Sequence, residues 1–172
     1  MIGNAKKSIV LSTFDLRPDD SGTKIIAALY TAAERGVQVQ ILIDGIYQKL
    51  FLEKSPVFQA LAAHQNIEVG IYNPVTNLMR LNYRMHDKYL IIDESMYLLG
   101  GRNTNDIFLG DKKTRINVDR DIFVYEETQG KGESLQALEK YFDTIWNEAQ
   151  VRKKKKTYAA SYEEKYKSEY HQ

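Results

Sequence analysis

The chain of 172 residues contains no cysteine, which excludes disulfide bonds and thiolate zinc sites within it. No stretch approaches the ~20 consecutive apolar residues of a membrane-spanning helix, and no signal peptide is visible. An excess of one charge is also lacking, because 24 lysines and arginines nearly balance 23 aspartates and glutamates. The net charge of +1 gives no global field toward nucleic acid or an anionic membrane, so a nucleic-acid partner is not expected.

The pattern of apolar residues predicts one α/β domain. A hydrophobic content of 43% and a charged content of 27% are ordinary for a globular protein of this length. Apolar runs typical of strands alternate with amphipathic segments typical of helices, which favours an α/β sandwich with a mixed central sheet flanked by helices. The first strand begins almost at once after Met1, so we expect a piece of a longer protein. Predicted strands are 9–14, 37–43, 67–72, 85–93, 96–99 and 121–125, and predicted helices are 23–35, 56–65 and 134–149.

The most informative stretch holds one histidine, one lysine and one aspartate. His86, Lys88 and Asp93 stand in the spacing H-x-K-x-x-x-x-D on an apolar, strand-like run. His86 and Lys88 are two residues apart, so on a strand their side chains point to the same face. An imidazole beside an ammonium group suits a phosphate, since one can act as nucleophile and the other can bind the anion. Asp93 has the opposite parity, so we expect it to fix the turn and support the pair indirectly.

A glycine-rich turn, Gly100-Gly101-Arg102-Asn103, supplies further candidates for substrate binding. Gly101 would let the backbone approach a phosphate closely, and Asn103 can donate a hydrogen bond to a phosphate oxygen. Arg102 is expected either to meet the substrate phosphate or to face solvent. Asp106 is expected either to accept a hydrogen bond from the His–Lys pair or to cap the next segment. Asp44 ends a predicted strand, where α/β sites gather, but a role in the following turn is favoured.

These residues resemble the phospholipase D superfamily, and the Gly-Gly-Arg-Asn turn is typical of its cardiolipin synthase-like branch. The segments 5–14, 39–45, 117–125 and 142–147 also resemble that family. The resemblance implies a phospholipase D-like α/β sandwich in which His86, Lys88 and Asp93 form the catalytic motif. The family's active site needs two copies of the motif, so this chain is expected to be the N-terminal catalytic lobe of a two-motif enzyme.

The resemblance also implies a reaction that uses no metal and no cofactor. His86 would attack phosphorus to form a phosphohistidine, and a histidine from a second motif would protonate the leaving alcohol. Water or a lipid alcohol such as phosphatidylglycerol would then accept the phosphatidyl group, so the leading hypothesis is phosphatidyl transfer or phospholipid hydrolysis. The alternative is a homodimeric phosphodiesterase or endonuclease with one motif per chain. A third interpretation is a fragment that does no chemistry alone and forms half of an interface.

The composition changes near the end of the chain. Residues 1–150 are predicted to form the catalytic lobe, and residues 151–172 a polar, lysine-rich linker or tail. Residues 152–156 are five consecutive cations. They could bind an anionic membrane at about 1 kcal/mol per charge, but a solvated linker is favoured. A membrane-associated and a cytoplasmic location are both compatible with the sequence.

Overall fold

The computed structural model describes residues 1–76, 81–110, 117–127 and 131–156. Within these ranges seven strands form one sheet, and helices cover both of its faces. The strands are β1 (Ser8–Thr13), β2 (Gln38–Asp44), β3 (Ile67–Tyr72), β4 (Tyr89–Ile92), β5 (Met96–Gly100), β6 (Asp121–Tyr125) and β7 (Val151–Lys153). The helices are α1 (Asp20–Glu34), α2 (Gly45–Tyr47), α3 (Pro56–Ala63), α4 (Asp106–Leu109) and α5 (Glu133–Trp146), with a 3₁₀ turn at Ile2–Asn4 and a π-helical turn at Gln48–Leu52.

The sheet is mixed, with strand order β6-β5-β4-β1-β2-β3-β7. Strands β1, β2 and β3 are parallel to one another, whereas β4, β5, β6 and β7 each pair antiparallel to a neighbour. The carboxyl ends of β1–β3 therefore lie at the same end of the sheet as the start of β4, the finish of β5 and the start of β6. This is called the motif end below, and the opposite end is called the distal end.

Two apolar clusters lie on opposite faces of the sheet. Side chains alternate along β1, so Ile9 and Leu11 join the cluster beneath α1 and α3, while Val10 packs against the cluster beneath α5. The α5 helix contributes Leu135, Phe142 and Trp146 to the second cluster. This arrangement confirms the predicted α/β sandwich with a mixed central sheet.

Local chemistry explains the main helix boundaries. The Asp19 carboxylate caps α1 by accepting from the Gly22 N–H, and the helix ends before Gly36, whose φ of +93° favours glycine. The Ser55 hydroxyl caps α3, and Pro56 occupies its first position, as predicted. The predicted turn after Asp44 is instead the short α2 helix, which continues into the π-helical turn.

Two predicted elements are shorter in the structure. The strand predicted over 85–93 spans only Tyr89–Ile92, because its antiparallel neighbour β1 ends at Thr13 and the residues before Lys88 lie beyond that end. The helix predicted over 134–149 ends at Trp146, since the chain must turn to enter β7.

The boundary predicted at residue 150 is placed too early. Val151–Lys153 pair with β3, and the Lys154 N–H donates to the Val69 carbonyl at 2.8 Å. The Lys153 ammonium also lies 3.2 Å from the centre of the Trp146 ring, which anchors the edge strand on α5. The first part of the predicted tail therefore belongs to the folded domain, and residues 157–172 lie outside the described residues.

Candidate active site

The two residues at the centre of the motif meet at the motif end of the sheet. His86 is exposed and stands three residues before β4, while Lys88 is buried with 7% of its surface exposed. The Lys88 ammonium lies 3.1 Å from His86 Nδ1 and donates to the His86 carbonyl at 2.6 Å. The predicted pairing on one face is therefore present, although the pair precedes the strand and does not lie within it.

The contact between the pair sets the state of the imidazole. An ammonium group can only donate, so His86 Nδ1 acts as the acceptor and the ring proton lies on Nε2 in this arrangement. Burial lowers the pKa of Lys88, although the carboxylates of Asp87, Asp119 and Asp15 act to raise it. Lys88 is therefore a partly desolvated cation, and a bound anion would stabilise its charged form.

Aromatic and cationic side chains pack against His86 and Lys88. The Phe14 ring lies 4.4 Å from the His86 ring, and the Lys88 ammonium lies 5.2 Å from the same Phe14 ring. The Arg84 guanidinium also contacts this ring, 4.8 Å from its centre. The Arg84 fork donates three hydrogen bonds of 2.7–3.0 Å to the Asp44 carboxylate, which is 1% exposed. Asp44 thus serves both the motif segment and the turn that follows β2.

The Asn103 segment is fastened to the end of β1. Asp15 donates its backbone N–H to the Asn103 side-chain oxygen at 3.3 Å, and its carbonyl accepts from Thr104 N–H at 3.0 Å and from the Asn105 amide at 3.2 Å. The Thr13 and Thr104 hydroxyls share a hydrogen bond of 2.9 Å. Because Asn103 Oδ1 is an acceptor here, its amino group is the part that can donate to a phosphate oxygen.

The glycine turn packs closely against the start of β6. A Cβ atom on Gly101 would lie 2.1 Å from an Asp119 carboxylate oxygen, so a larger residue here would displace the Asp119 side chain. Arg102 is turned toward the same segment, where its guanidinium donates to the Asp119 carbonyl at 2.8 Å and pairs with Asp121 at 3.2 Å. The Arg102 side chain is also 41% exposed, and its contact with a substrate phosphate stays a prediction.

Comparison with known proteins decides the family. A family model described as "Cardiolipin synthase, PLD-like domain", where PLD stands for phospholipase D, matches residues 1–146. The chain belongs to this family. Among curated relatives, cardiolipin synthase of Clostridium perfringens is 34% identical over 148 residues, which are 86% of this chain and 30% of that protein. Cardiolipin synthase B of Escherichia coli is 39% identical over 106 residues, 59% of this chain and 25% of that protein. The chain thus spans less than a third of these relatives.

Solved structures share the fold of this PLD-like domain. Nuc from Salmonella typhimurium, a phospholipase D family member, superposes with a TM-score of 0.61 at 21% identity, covering 90% of this chain and 86% of Nuc. Phosphatidylserine synthase of Haemophilus influenzae gives a TM-score of 0.66 at 20% identity, covering 87% of this chain and 34% of that chain. At these identities the likeness concerns the fold.

Asp93, the third residue of the PLD-like motif, lies at the other end of β4 from the pair. Its carboxylate accepts from the backbone N–H groups of Lys6, Lys7 and Ser8 at 2.7–3.1 Å. Partial burial acts to raise its pKa, but these three donors outweigh it and hold the pKa of Asp93 below its usual range. Listing Asp93 with the catalytic residues is therefore corrected to a role in the turn, because the length of β4 separates it from the reacting groups.

Asp106 is also not brought to the pair. It is the first residue of α4, and its carboxylate accepts from Ser21 N–H at 2.8 Å while its own N–H donates to Asp19 at 2.9 Å. Placing Asp106 among the substrate-binding residues is therefore corrected. Its carboxylate caps a helix, as the alternative held, but that helix is α1 and not its own segment.

Sequence reasoning missed the support beneath His86. Arg84 continues the two-residue spacing of His86 and Lys88, so the alternation itself places a second cation, beside Lys88, on the same face of the segment. Phe14 follows β1, and Asp44 closes the neighbouring β2. Adjacent parallel strands end together, so these positions were a readable signal for a shared location.

Two further observations concern the described residues alone. In those ranges, no three histidine, aspartate or glutamate side chains come together as a metal ion would require. None of the described helices is long and apolar enough to cross a membrane.

Proposed function

We propose that this chain is one catalytic lobe of a phosphatidyl-transferring or phospholipid-hydrolysing enzyme that works through a phosphohistidine. The observation that carries the proposal is the His86–Lys88 contact at the motif end, with the Asn103 amide fastened nearby. A nucleophile, a desolvated cation and an amide donor are the groups that a phosphodiester reaction needs. The cardiolipin synthase relatives make a phospholipid such as phosphatidylglycerol the proposed substrate.

The contact between the pair defines the first step. A bound phosphate would accept from the Lys88 ammonium and draw it from His86 Nδ1, so that the ring proton can pass from Nε2 to Nδ1 through solvent. The Nε2 lone pair then forms the N–P bond as the P–O bond to the leaving alcohol breaks. The departing oxygen takes its proton from the histidine of a second motif. Water or a lipid alcohol then attacks phosphorus, gives its proton to that histidine, and the N–P electron pair returns to Nε2.

The second motif belongs to a partner lobe in this proposal. Large apolar side chains from three connections between strands, β2–β3, β3–β4 and β5–β6, are exposed at the motif end: Leu50, Tyr83, Leu109 and Val118. A surface of this kind is usual where another protein surface packs. Because the chain spans 30% of the Clostridium perfringens relative, that protein has room for a second lobe.

The basic run, residues 152–156, is not proposed as the membrane contact. Lys154 bonds to Val69 and Lys156 contacts the carbonyl of Gln65, which precedes β3. The run therefore proceeds toward the distal end, opposite His86. Membrane contact through these cations would hold the lobe by the end that carries no motif histidine. We propose instead that contact with membrane lipid occurs at the motif end.

The test is hydrolysis of an activated phosphodiester by this chain in EDTA, beside its His86→Ala variant. Activity that survives EDTA and disappears in His86→Ala supports the proposal and shows that self-association completes the site. If the folded chain is inactive, the same substitution is made in the complete enzyme that contains this lobe. Full activity of that His86→Ala enzyme would sink the proposal.

A second candidate is a phosphodiesterase that places one motif on each of two identical chains. The observation that favours it is the match to Nuc, since this chain covers 86% of Nuc, a phospholipase D family member with a chain little longer than one such lobe. Light scattering of the purified chain, with parallel assays on plasmid DNA and on lipid, separates the two candidates. A dimer that cleaves DNA and ignores lipid would replace the phosphatidyl-transfer proposal.

A further inference from the structure

His86 is held in an unusual way for a nucleophile. Its ring is exposed, and it stands three residues before the first paired residue of β4. The ladder of the sheet therefore does not fix the imidazole directly. A displacement of about 1 Å can cost a hundredfold in rate, so a reacting histidine in this position requires another support.

A cluster of four side chains provides that support. The Tyr47 ring, the Phe14 ring and the Arg84 guanidinium all contact one another, and the His86 ring contacts Phe14. Arg84 lies 5.3 Å from the centre of the Tyr47 ring and 4.8 Å from that of Phe14, and the imidazole rests 4.4 Å beyond Phe14. Tyr47 and Phe14 also meet edge to face at 4.8 Å. Phe14 is thus the ring that His86 contacts, and Arg84 contacts the same ring.

The Asp44 carboxylate anchors this cluster through Arg84. This carboxylate is almost fully buried, and besides its three bonds from Arg84 it accepts from the N–H groups of Ile46 and Tyr47. A buried carboxylate needs partners with good geometry, and the planar guanidinium fork meets that need while it also contacts both rings. Lysine has the same charge but neither the fork nor the flat faces, so it cannot occupy this position equivalently.

A second ion pair of the same kind lies nearby and provides a matched comparison. The Arg17 fork binds the buried Asp15 carboxylate at 2.7–3.1 Å, again at the motif end. Arg17 stacks on Phe51 at 4.7 Å, however, and not on Phe14. The two pairs therefore share chemistry and burial but differ in whether they reach the ring beneath His86.

We propose that Arg84, held by Asp44, is the positioning residue of His86, and that it acts by fixing the Phe14 ring on which the imidazole rests. The inference rests on the proposed nucleophilic role of His86, but the geometry it invokes can be measured without any reaction. The Arg84 guanidinium is engaged by Asp44 and the two rings, so its effect is expected on turnover more than on substrate binding.

The first measurement is the imidazole NMR spectrum of the purified chain. The sequence has three histidines, and His86→Ala assigns the resonances of His86. The ring current of Phe14 shifts these resonances, so Arg84→Lys is expected to move them toward free-histidine values. Arg17→Lys is expected to leave them in place. His64, whose ring packs on Tyr30 at 5.1 Å, serves as the internal reference for an unchanged fold.

The second measurement is steady-state kinetics in the assembly that proves active. Arg84→Lys is expected to lower kcat roughly tenfold to a hundredfold with KM nearly unchanged, while Arg17→Lys keeps both constants near those of the unsubstituted protein. Phe14→Leu, which leaves the ion pair intact, should reproduce the loss of kcat. If Arg84→Lys does not fold, Asp44→Asn, which weakens the hold on Arg84 and leaves the Phe14 ring in place, carries both measurements.

The outcomes are distinct. Unmoved His86 resonances in Arg84→Lys, or equal movement in Arg17→Lys, would overturn the positioning role. A loss in KM alone would also overturn it, because that result assigns Arg84 to substrate binding. If instead His86→Ala retains activity while the resonances shift as expected, the proposed function fails and the support of His86 by Arg84 stands.

Discussion

The two ends of β4 carry residues of the same motif and use them differently. At the motif end, His86 is exposed and Lys88 is a buried cation whose pKa is lowered by desolvation. At the distal end, the Asp93 carboxylate receives three backbone N–H groups, which hold its pKa low. The four residues between lysine and aspartate in the motif are the four residues of β4. The spacing of the motif therefore equals the length of β4, which has the proposed reacting groups at one end and the Asp93 turn at the other.

The largest effect that tests this comparison is expected from Lys88→Met. Loss of the cation should reduce activity on the order of a hundredfold or more, because Lys88 is the proposed anion clamp. A lowered pKa means that folding disfavours the charged form, so stability at neutral pH should be unchanged or higher in the variant. Denaturant unfolding and kinetics measure the two effects. Lys49→Met, at an exposed lysine of the same end, is the control and should change neither.

The next largest effect is expected from Asp93→Asn. In contrast to Lys88→Met, this variant should lose stability and keep its activity. Three backbone N–H groups lose a charged acceptor, which should lower the free energy of unfolding by about 1–3 kcal/mol. Activity per folded molecule should persist, since the reacting groups lie at the other end of β4. Glu94→Gln removes a neighbouring carboxylate and should be nearly neutral. Loss of turnover in a folded Asp93→Asn protein would contradict the division between the two ends.

The loss of stability in Asp93→Asn should depend on pH. The folded pKa of Asp93 is below the unfolded value, so its stabilising effect is present above the unfolded value and is lost as pH falls through the folded one. The difference in unfolding free energy between the wild-type chain and Asp93→Asn should therefore shrink in acid. Urea titrations at a series of pH values measure it, and a difference that grows as pH falls would contradict the assignment.

The smallest effect is expected in the turn after Asp93. Glu94 has a φ of +51°, which costs energy for a residue with a Cβ atom. Glu94→Gly should raise the free energy of unfolding by about 0.5–1 kcal/mol without changing kcat. The neighbouring Ser95→Gly, at a residue without positive φ, should lower it. Thermal unfolding of both variants decides whether the distal turn can be adjusted independently of the chemistry.

The sequence was sufficient to predict what depends on periodicity and short-range chemistry. The alternation of apolar residues predicted the sandwich, Ser55 and Pro56 predicted the start of α3, and the parity of Asp93 predicted its separation from Lys88. These features depend on neighbours within a few residues, so a single chain contains the information for them.

The remaining features depend on partners that are distant in sequence. Asp106 caps α1 through Ser21, 85 residues away, and Arg84 binds Asp44 across 40 residues. No local pattern distinguishes the Asp106 contact from exposure to solvent, and the signal for the Arg84 contact lay in which strands end together, not in the residues around Arg84. The edge strand β7 was missed for the same reason, because its charged residues become a strand only when β3 offers a free edge and Trp146 accepts Lys153.

Trp146 is the single tryptophan of the chain, and its surroundings make it a natural optical probe. Its indole is 6% exposed, packs where Gly70 leaves room on β3, and lies beneath the Lys153 ammonium. Detachment of the edge strand would remove that cation and admit water, so fluorescence emission reports on this edge, while circular dichroism reports on the whole sheet. Coincident transitions would show that the lobe unfolds as one cooperative unit. A fluorescence transition that precedes the circular dichroism transition would show that the β7 edge unfolds before the rest of the sheet.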